Sequence, residues 1–391
     1  MNSAPKPSDA FWNQSEYRAF FYQFLVVLIL VFIGWYLLSN TLENLHSQKI
    51  ATGFDFLWEE SAFEIGESLI PYAPTDSYAR ALVVGFLNTL KTAVIGIVLT
   101  VLLGTLMGIA RLSRNGLIAG LAAVYIDLFR NIPVLLQLFF WYALFRQFPA
   151  PRQALEPFAG VFVCNRGFLF PAPQINGPEG LVLICVPVAL VLWWWLCRQN
   201  RIYREGHGKN RIHPAALSLV PVLVVLGVNM VAGATWQLDT PTLRGFNFRG
   251  GGILTPEFGA LLMGLVIYTG TFVAEIVRSG ILAVDRGQVE AGRSVGLSNT
   301  KILVLIVLPQ ALRAIIPPLT SQMLNLTKNS TLAVAVGYPD LVSVANTTLN
   351  QTGQAIEAIS IIMVVYLLFS LMTSLFMNWF NRRAILPSSK S

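Results

Sequence analysis

The chain has 391 residues, 54% of them hydrophobic and only 12% charged, with a formal charge of +7. A soluble domain carries about 25% charged residues, so a mean hydropathy of +0.61 excludes an ordinary soluble fold and points to a chain embedded in a membrane. The basic excess then bears on orientation in the bilayer rather than on nucleic-acid binding. Cys164, Cys185 and Cys197 are odd in number and show no disulfide or metal spacing, and His46, His207 and His213 are scattered. No metal site is expected from them.

Apolar runs long enough to cross a ~30 Å hydrocarbon core fall at about 20–39, 84–110, 117–145, 181–197, 214–232, 258–281, 311–336 and 357–380. They predict an all-α integral membrane protein of about eight transmembrane helices. The run from Phe20 to Leu38 is longer than a usual signal-peptide core and no small-x-small cleavage site follows closely, so it is expected to be retained. With the N-terminus inside, Lys and Arg of the inner segments outnumber those of the outer ones by about two to one, which predicts both termini cytoplasmic.

The first outer segment, Thr41 to Arg80, is rich in Asp and Glu. The two later outer segments echo each other: "RGFLF" from Arg166 and "RGFNF" from Arg244, each followed by a Pro-Glu pair just before an apolar run. Turn chemistry ahead of a helix accounts for Pro-Glu. An ordered outer cap shared by both segments would account for the rest. Trp193 to Trp195 read as an interfacial belt with no transport role.

The inner connection "EAGRSVGLSNTKILVLIVLP", Glu290 to Pro309, carries the functional signal. Asp285 is placed to start a short helix, where the dipole is positive. Gly296 supplies the left-handed residue that ends it. Ser298 or Asn299 caps a second helix bearing "KILVLIVLP", and Pro309 is expected to bend the chain into the next span. The pattern is helix, glycine break, helix: a small knob on an apolar shelf, shaped to enter a cleft in another protein.

This stretch resembles the inner-membrane permease subunits of ABC importers, which carry E-A-A-x3-G-x9-I-x-L-P in the same place. Glu290, Ala291, Gly292, Gly296, Ile306, Leu308 and Pro309 meet that spacing, with Gly292 standing where the pattern has its second alanine. "YIDLFRNIPVLLQLFFWY" is similar to the Y-x-E-x-F-R-G-T-P-x-x-x-Q-x-F pattern of the polar amino acid uptake branch. Asp127 there replaces Glu, and Asn131-Ile132 replace Gly-Thr. "AEIVRSGILAVDRGQVEAG", "LPQALRAIIPPL" and "LTKNSTLA" are similar to later segments of that branch.

The resemblance implies a five-helix importer core over roughly 80–143 and 256–391. Residues 1–79 would add an N-terminal helix and acidic periplasmic segment, and 144–255 an insert with two further spans, as in the longer permeases of general L-amino acid importers. It implies a bacterial inner-membrane subunit without catalysis of its own. Its partners would be a second, unlike permease, two ATPases that hold ATP and Mg and receive one knob each, and a periplasmic amino-acid-binding protein. No cofactor is expected in this chain, which lacks the phosphate-binding G-x4-G-K-[ST]; "GHGKN" at Gly206 is only a fragment of it.

Charges inside spans cost about 2.5–3.5 kcal/mol each on insertion scales, so each needs a partner or a role. Asp127 with Arg130, and Glu275 with Arg278, are three residues apart on one helix face. Two readings stay open: self-neutralising ion pairs, or a path lining that meets a substrate's ammonium or carboxylate. Lys328, with Asn325, Asn329, Ser330 and Thr331, either snorkels outward or lines an outer gate, and Lys91 is expected to snorkel. Pro133 and Pro317-Pro318 are expected to bend their helices at pathway depth. The alternative function, a secondary amino acid transporter needing no ATPase, would call for inverted repeats; the outer echo is the only repetition found. A membrane enzyme would need a converging set of catalytic groups, and none is legible.

Overall fold

The computed structural model describes residues 15–47, 53–176, 188–189, 191–200, 203–204, 212–231 and 235–384. Its helices are α1 (Ser15–Ser47), α2 (Tyr78–Arg111), α3 (Gly116–Asn131), α4 (Val134–Arg146), α5 (Pro214–Val231), α6 (Pro256–Leu282), α7 (Arg286–Ser294), α8 (Asn299–Ile302), α9 (Leu308–Asn329), α10 (Leu341–Thr352) and α11 (Ala355–Ala384). Among the described residues five helical stretches are long and apolar enough to cross a membrane, or six if α3 and α4 count as one broken span. The expected eight are not reached by that count. Residues 181–187 and 190 of the run expected at 181–197 lie outside the described residues, and α5 offers only the short apolar stretch Ala216–Val228.

Two compact units divide the chain. The first holds 1–93, 323–334 and 339–391. Helix α1 is apolar all round, and its large side chains from Phe20 to Leu37 are exposed, as in a helix that faces lipid. The described part of the acidic segment after it, 53–77, folds against α2 and α10. Ser61 Oγ lies 2.6 Å from Tyr72 Oη, which donates to the Phe63 carbonyl at 2.9 Å. Burial pushes the Tyr72 phenol above its ordinary pKa. Leu57, Phe63, Ile65 and Tyr72 pack on a core of Ala81, Leu82, Leu341, Val344 and Ala345. Gly85 permits the approach of α2 to α10: a Cβ there would meet the Leu341 Cα at 3.0 Å. Lys91 does not snorkel away; its ammonium pairs with Glu67, whose carbonyl also accepts from Asn88 at 2.8 Å.

The second unit holds 94–322 and 335–338. The span expected at 117–145 is broken: α3 and α4 meet at 105° around Ile132-Pro133. Pro133 has no N–H to continue a helix and holds its predecessor extended (Ile132 ψ 126°). The carbonyls stranded by the break are met by Gln137, whose Nε2 donates to Phe129 and Ile132 at 2.9 and 3.0 Å. Pro317 and Pro318, by contrast, sit within α9 without interrupting it. Nor does Pro309 break the chain. A π turn, Leu303–Val307, joins α8 to α9, its wider hydrogen-bond register leading into the proline that lacks a donor.

The two later segments that the sequence places outside build a shared β cap. Strands β1 (Leu155–Phe158), β2 (Val161–Cys164), β3 (Gly167–Phe170) and β8 (Gly252–Leu254) form an antiparallel sheet in the order β1-β2-β3-β8. Strand β4 (Ala172–Asn176) pairs with β5 (Thr235–Asp239), and β6 (Thr242–Arg244) with β7 (Asn247–Arg249). The repeated Arg-Gly-Phe falls where backbone must turn or be approached. Gly167 has φ +126° and Gly245 φ +67°, and a Cβ on Gly167 would collide with the Leu254 carbonyl at 2.2 Å. Phe162 and Phe248 bring the two segments together at 4.6 Å between ring centroids.

Candidate coupling loop and charge cluster

The knob forms as a local consequence of its sequence. Asp285 caps α7, its Oδ1 accepting from the Gly287 N–H at 2.6 Å. Gly296 (φ +77°) ends the helix, with its N–H bonded to the Arg293 carbonyl at 2.9 Å. Ser298 then stands at the N-cap of α8. Gly292 is buried, and a Cβ there would lie 2.8 Å from Ile306 Cδ1 and 3.1 Å from Ile302 Cγ1. The small residue therefore sets how closely α7 lies on α8 and the π turn. Glu290, Ala291 and Leu308 are exposed, while Ile306 and Pro309 are half-buried. The result is a helical hairpin closed inside by Gly292 and isoleucine and presenting a carboxylate outward.

One α6 length away from the cap, the intramembrane charges meet. Arg278 grips Glu275 through two nitrogens, Nη2 at 2.7 Å and Nε at 3.0 Å from Oε1. Asp127 and Arg130 do not pair with each other. Asp127 Oδ1 lies 3.8 Å from Arg111 Nη1, which also reaches Glu275 Oε2 at 3.5 Å. Arg130 instead sits over the Phe272 ring at 5.2 Å. Arg111 is the residue that sequence reasoning missed. It ends α2 and ties that helix to α3 and α6, whereas in the sequence it reads as one more basic residue at a span's inner end. Close packing brings the helices within its reach. Cβ atoms on Gly104 and Gly108 would meet Val273 at 2.5 Å and the Ala274 carbonyl at 2.6 Å. Tyr125 Oη donates to the Ile267 carbonyl at 2.8 Å and fixes α3 on α6. Asn325 and Lys328 are exposed on the part of α9 that belongs to the first unit. Among the described residues no group of three or more His, Cys, Asp or Glu is placed to hold a metal.

These features define a multi-pass membrane protein, its helices crowded around a neutralised charge cluster and its connection folded into a protruding hairpin. The family described as binding-protein-dependent transport system inner membrane component matches residues 100–386, and the chain belongs to it. The chain is 48% identical over 384 residues to YhdX of Escherichia coli (strain K12), named as an amino-acid ABC transporter permease protein, covering 97% of each. It is 46% identical over 374 residues to the general L-amino acid transport system permease protein AapQ of Rhizobium johnstonii, covering 95% of this chain and 93% of that one. With the glutamate/glutamine/aspartate/asparagine transport system permease protein BztB of Rhodobacter capsulatus it shares 37% identity, covering 92% of each. The protein is thus a multi-pass inner-membrane permease, and the ATPase activity of such systems lies in a separate subunit.

Proposed function

We propose that this chain is one permease of an ATP-driven, binding-protein-dependent importer of L-amino acids, coupled to its ATPase through residues 285–309. The observation that carries the reading is the closed hairpin with Glu290 outward and Gly292 packed on Ile302 and Ile306. A rigid handle of this kind transmits motion, whereas a floppy loop would absorb it. The closely similar relatives are named for amino-acid transport, which supports the substrate class.

In this reading residues 80–143 and 256–391 are the core, and 144–255 are an insert that builds the cap. Both termini lie in the cytoplasm. A second, unlike permease completes the pathway, two ATPases hold ATP and Mg, and a periplasmic binding protein delivers substrate. Within the core Arg111, Asp127, Glu275 and Arg278 clamp three helices near the end that runs into the hairpin. Movement of the handle thus reaches the helices as a unit. Asn325 and Lys328 are polar groups available to the path.

Glu290→Lys tests the handle. The variant should lose ATPase retention in a pull-down by on the order of tenfold or more, since it reverses an interfacial charge, while the membrane part keeps its elution profile. Retention at the wild-type level would contradict docking at this hairpin.

A further inference from the structure

A pocket of about 370 Å³ opens where the β cap meets the ends of α4 and α6, within the second unit, and is lined by Arg146, Asn165, Arg166, Pro256 and Glu257. Arg146 is the last residue of α4, and Pro256 and Glu257 begin α6. Asn165 and Arg166 form the turn between β2 and β3, tied to the chain leaving α4 by the bond from Asn165 N–H to the Pro149 carbonyl at 2.9 Å. Glu257 is oriented by Tyr142, whose Oη lies 3.2 Å from Oε1. Among the described residues neither Arg146 nor Arg166 has an ion pair or hydrogen bond from its guanidinium. Both guanidiniums are exposed and share one cavity with the Glu257 carboxylate, where each can exchange water for a charge-assisted contact with a ligand.

The charges specify the ligand. Two guanidiniums and one carboxylate are complemented one for one by two carboxylates and one ammonium. We propose that this pocket binds a free α-amino acid carrying a second carboxylate. Arg146 and Arg166 take the two carboxylates, and Glu257 takes the ammonium. The volume is at the small end of the range for ligand clefts, about 300–1,000 Å³, which suits a molecule of this size. A basic amino acid would bring its second cation against a guanidinium and be rejected. The ligand class rests on the reading of the chain as an amino-acid permease. It also explains what residues 144–255 contribute, because the insert supplies Asn165 and Arg166 and so creates a holding station at the outer end of the core.

The proposal is tested by equilibrium binding of labelled L-glutamate to the full-length protein, assembled with its partner subunits in nanodiscs without ATP or binding protein. L-Leucine, L-lysine and glutarate serve as competitors. Saturable glutamate binding is expected, with leucine and lysine competing weakly. Arg146→Gln and Arg166→Gln should each weaken it roughly tenfold or more, the loss of one charge-assisted contact, and Arg166→Lys should retain part of it. Arg166 is exposed on its turn, so its exchange leaves the cap folded. Glu257→Gln should abolish the preference for glutamate over glutarate, which lacks the ammonium. Absent binding, binding unchanged in these variants, or equal competition by leucine or lysine overturns the proposal. ATP-driven uptake measured on the same assemblies separates the two readings. Uptake without pocket binding removes the pocket alone, and pocket binding without uptake removes the importer reading alone.

Discussion

Gly292 occupies the one position where the chain departs from the docking pattern its sequence resembles, and the packing explains it. A methyl group there would press on Ile306 Cδ1 and Ile302 Cγ1, side-chain atoms that can give way, so alanine and glycine are both admissible and larger residues are not. That much was legible, because smallness at a close contact shows in sequence. Arg111 was not. Its value comes from the meeting of three helices, and nothing adjacent to it in the chain signals Asp127 or Glu275. The three-residue spacing was right for Glu275 and Arg278 and misleading for Asp127 and Arg130, since a tertiary partner outcompeted the neighbour on the helix face.

Asp340 also escaped the sequence reading. It lies between the spans Asn299–Val336 and Ala355–Trp379, 1% exposed, capping α10 through the Ser343 N–H at 2.8 Å, with Tyr366 Oη 3.5 Å from its other oxygen. Burial pushes its carboxyl up to about 7, and the hydrogen bonds from Ser343, Val342 and Tyr366 only partly oppose this. A carboxyl raised in the folded state holds its proton where the unfolded one has lost it. Its contribution to stability is therefore full below the ordinary carboxylate pKa and is lost as pH rises toward about 7. The thermal midpoint of the purified protein should fall over that window. Asp340→Asn, which keeps a capping oxygen, should flatten this part of the profile; an unchanged profile in the variant would contradict the assignment.

Among the elements, α2 and α6 show how membrane helices are held when lipid removes the hydrophobic drive between them: small residues let backbones touch. Gly108 faces the Ala274 carbonyl, a backbone atom that cannot move aside. Gly108→Leu should cost about 1–3 kcal/mol through overpacking, seen as a lower thermal midpoint in detergent. Gly120→Leu, on α3 with nothing within 4 Å of its Cβ, should be neutral or slightly stabilising. Equal effects at the two sites would refute the close contact.

Helices were legible from apolar length and the hairpin from its caps and glycine. The β cap showed itself only as a repeated Arg-Gly-Phe, because its strands are three to five residues long and their pairing joins β3 to β8 and β4 to β5 across the whole insert. Proline effects were the least legible. Pro133 marks a 105° break, while Pro317 and Pro318 leave their helix intact; the difference lies in whether Gln137-like side chains and an extended predecessor accept the break.

At the scale of the whole molecule, the chain supplies helices, a cap and a hairpin, and the ATPase activity of such systems lies in a separate subunit. In the proposed reading the hairpin is the contact through which that subunit acts, and this fixes how the system behaves when its parts are divided. The decisive measurement is amino-acid uptake into proteoliposomes, comparing the complete complex with internal ATP against this chain alone under an ion gradient. The account predicts uptake by the wild-type complex only with ATP, none by the chain alone, and loss of ATP-driven uptake when Glu290→Lys replaces the wild-type subunit. Sustained uptake by the chain alone, or full ATP-driven uptake with that substitution in place, would contradict it.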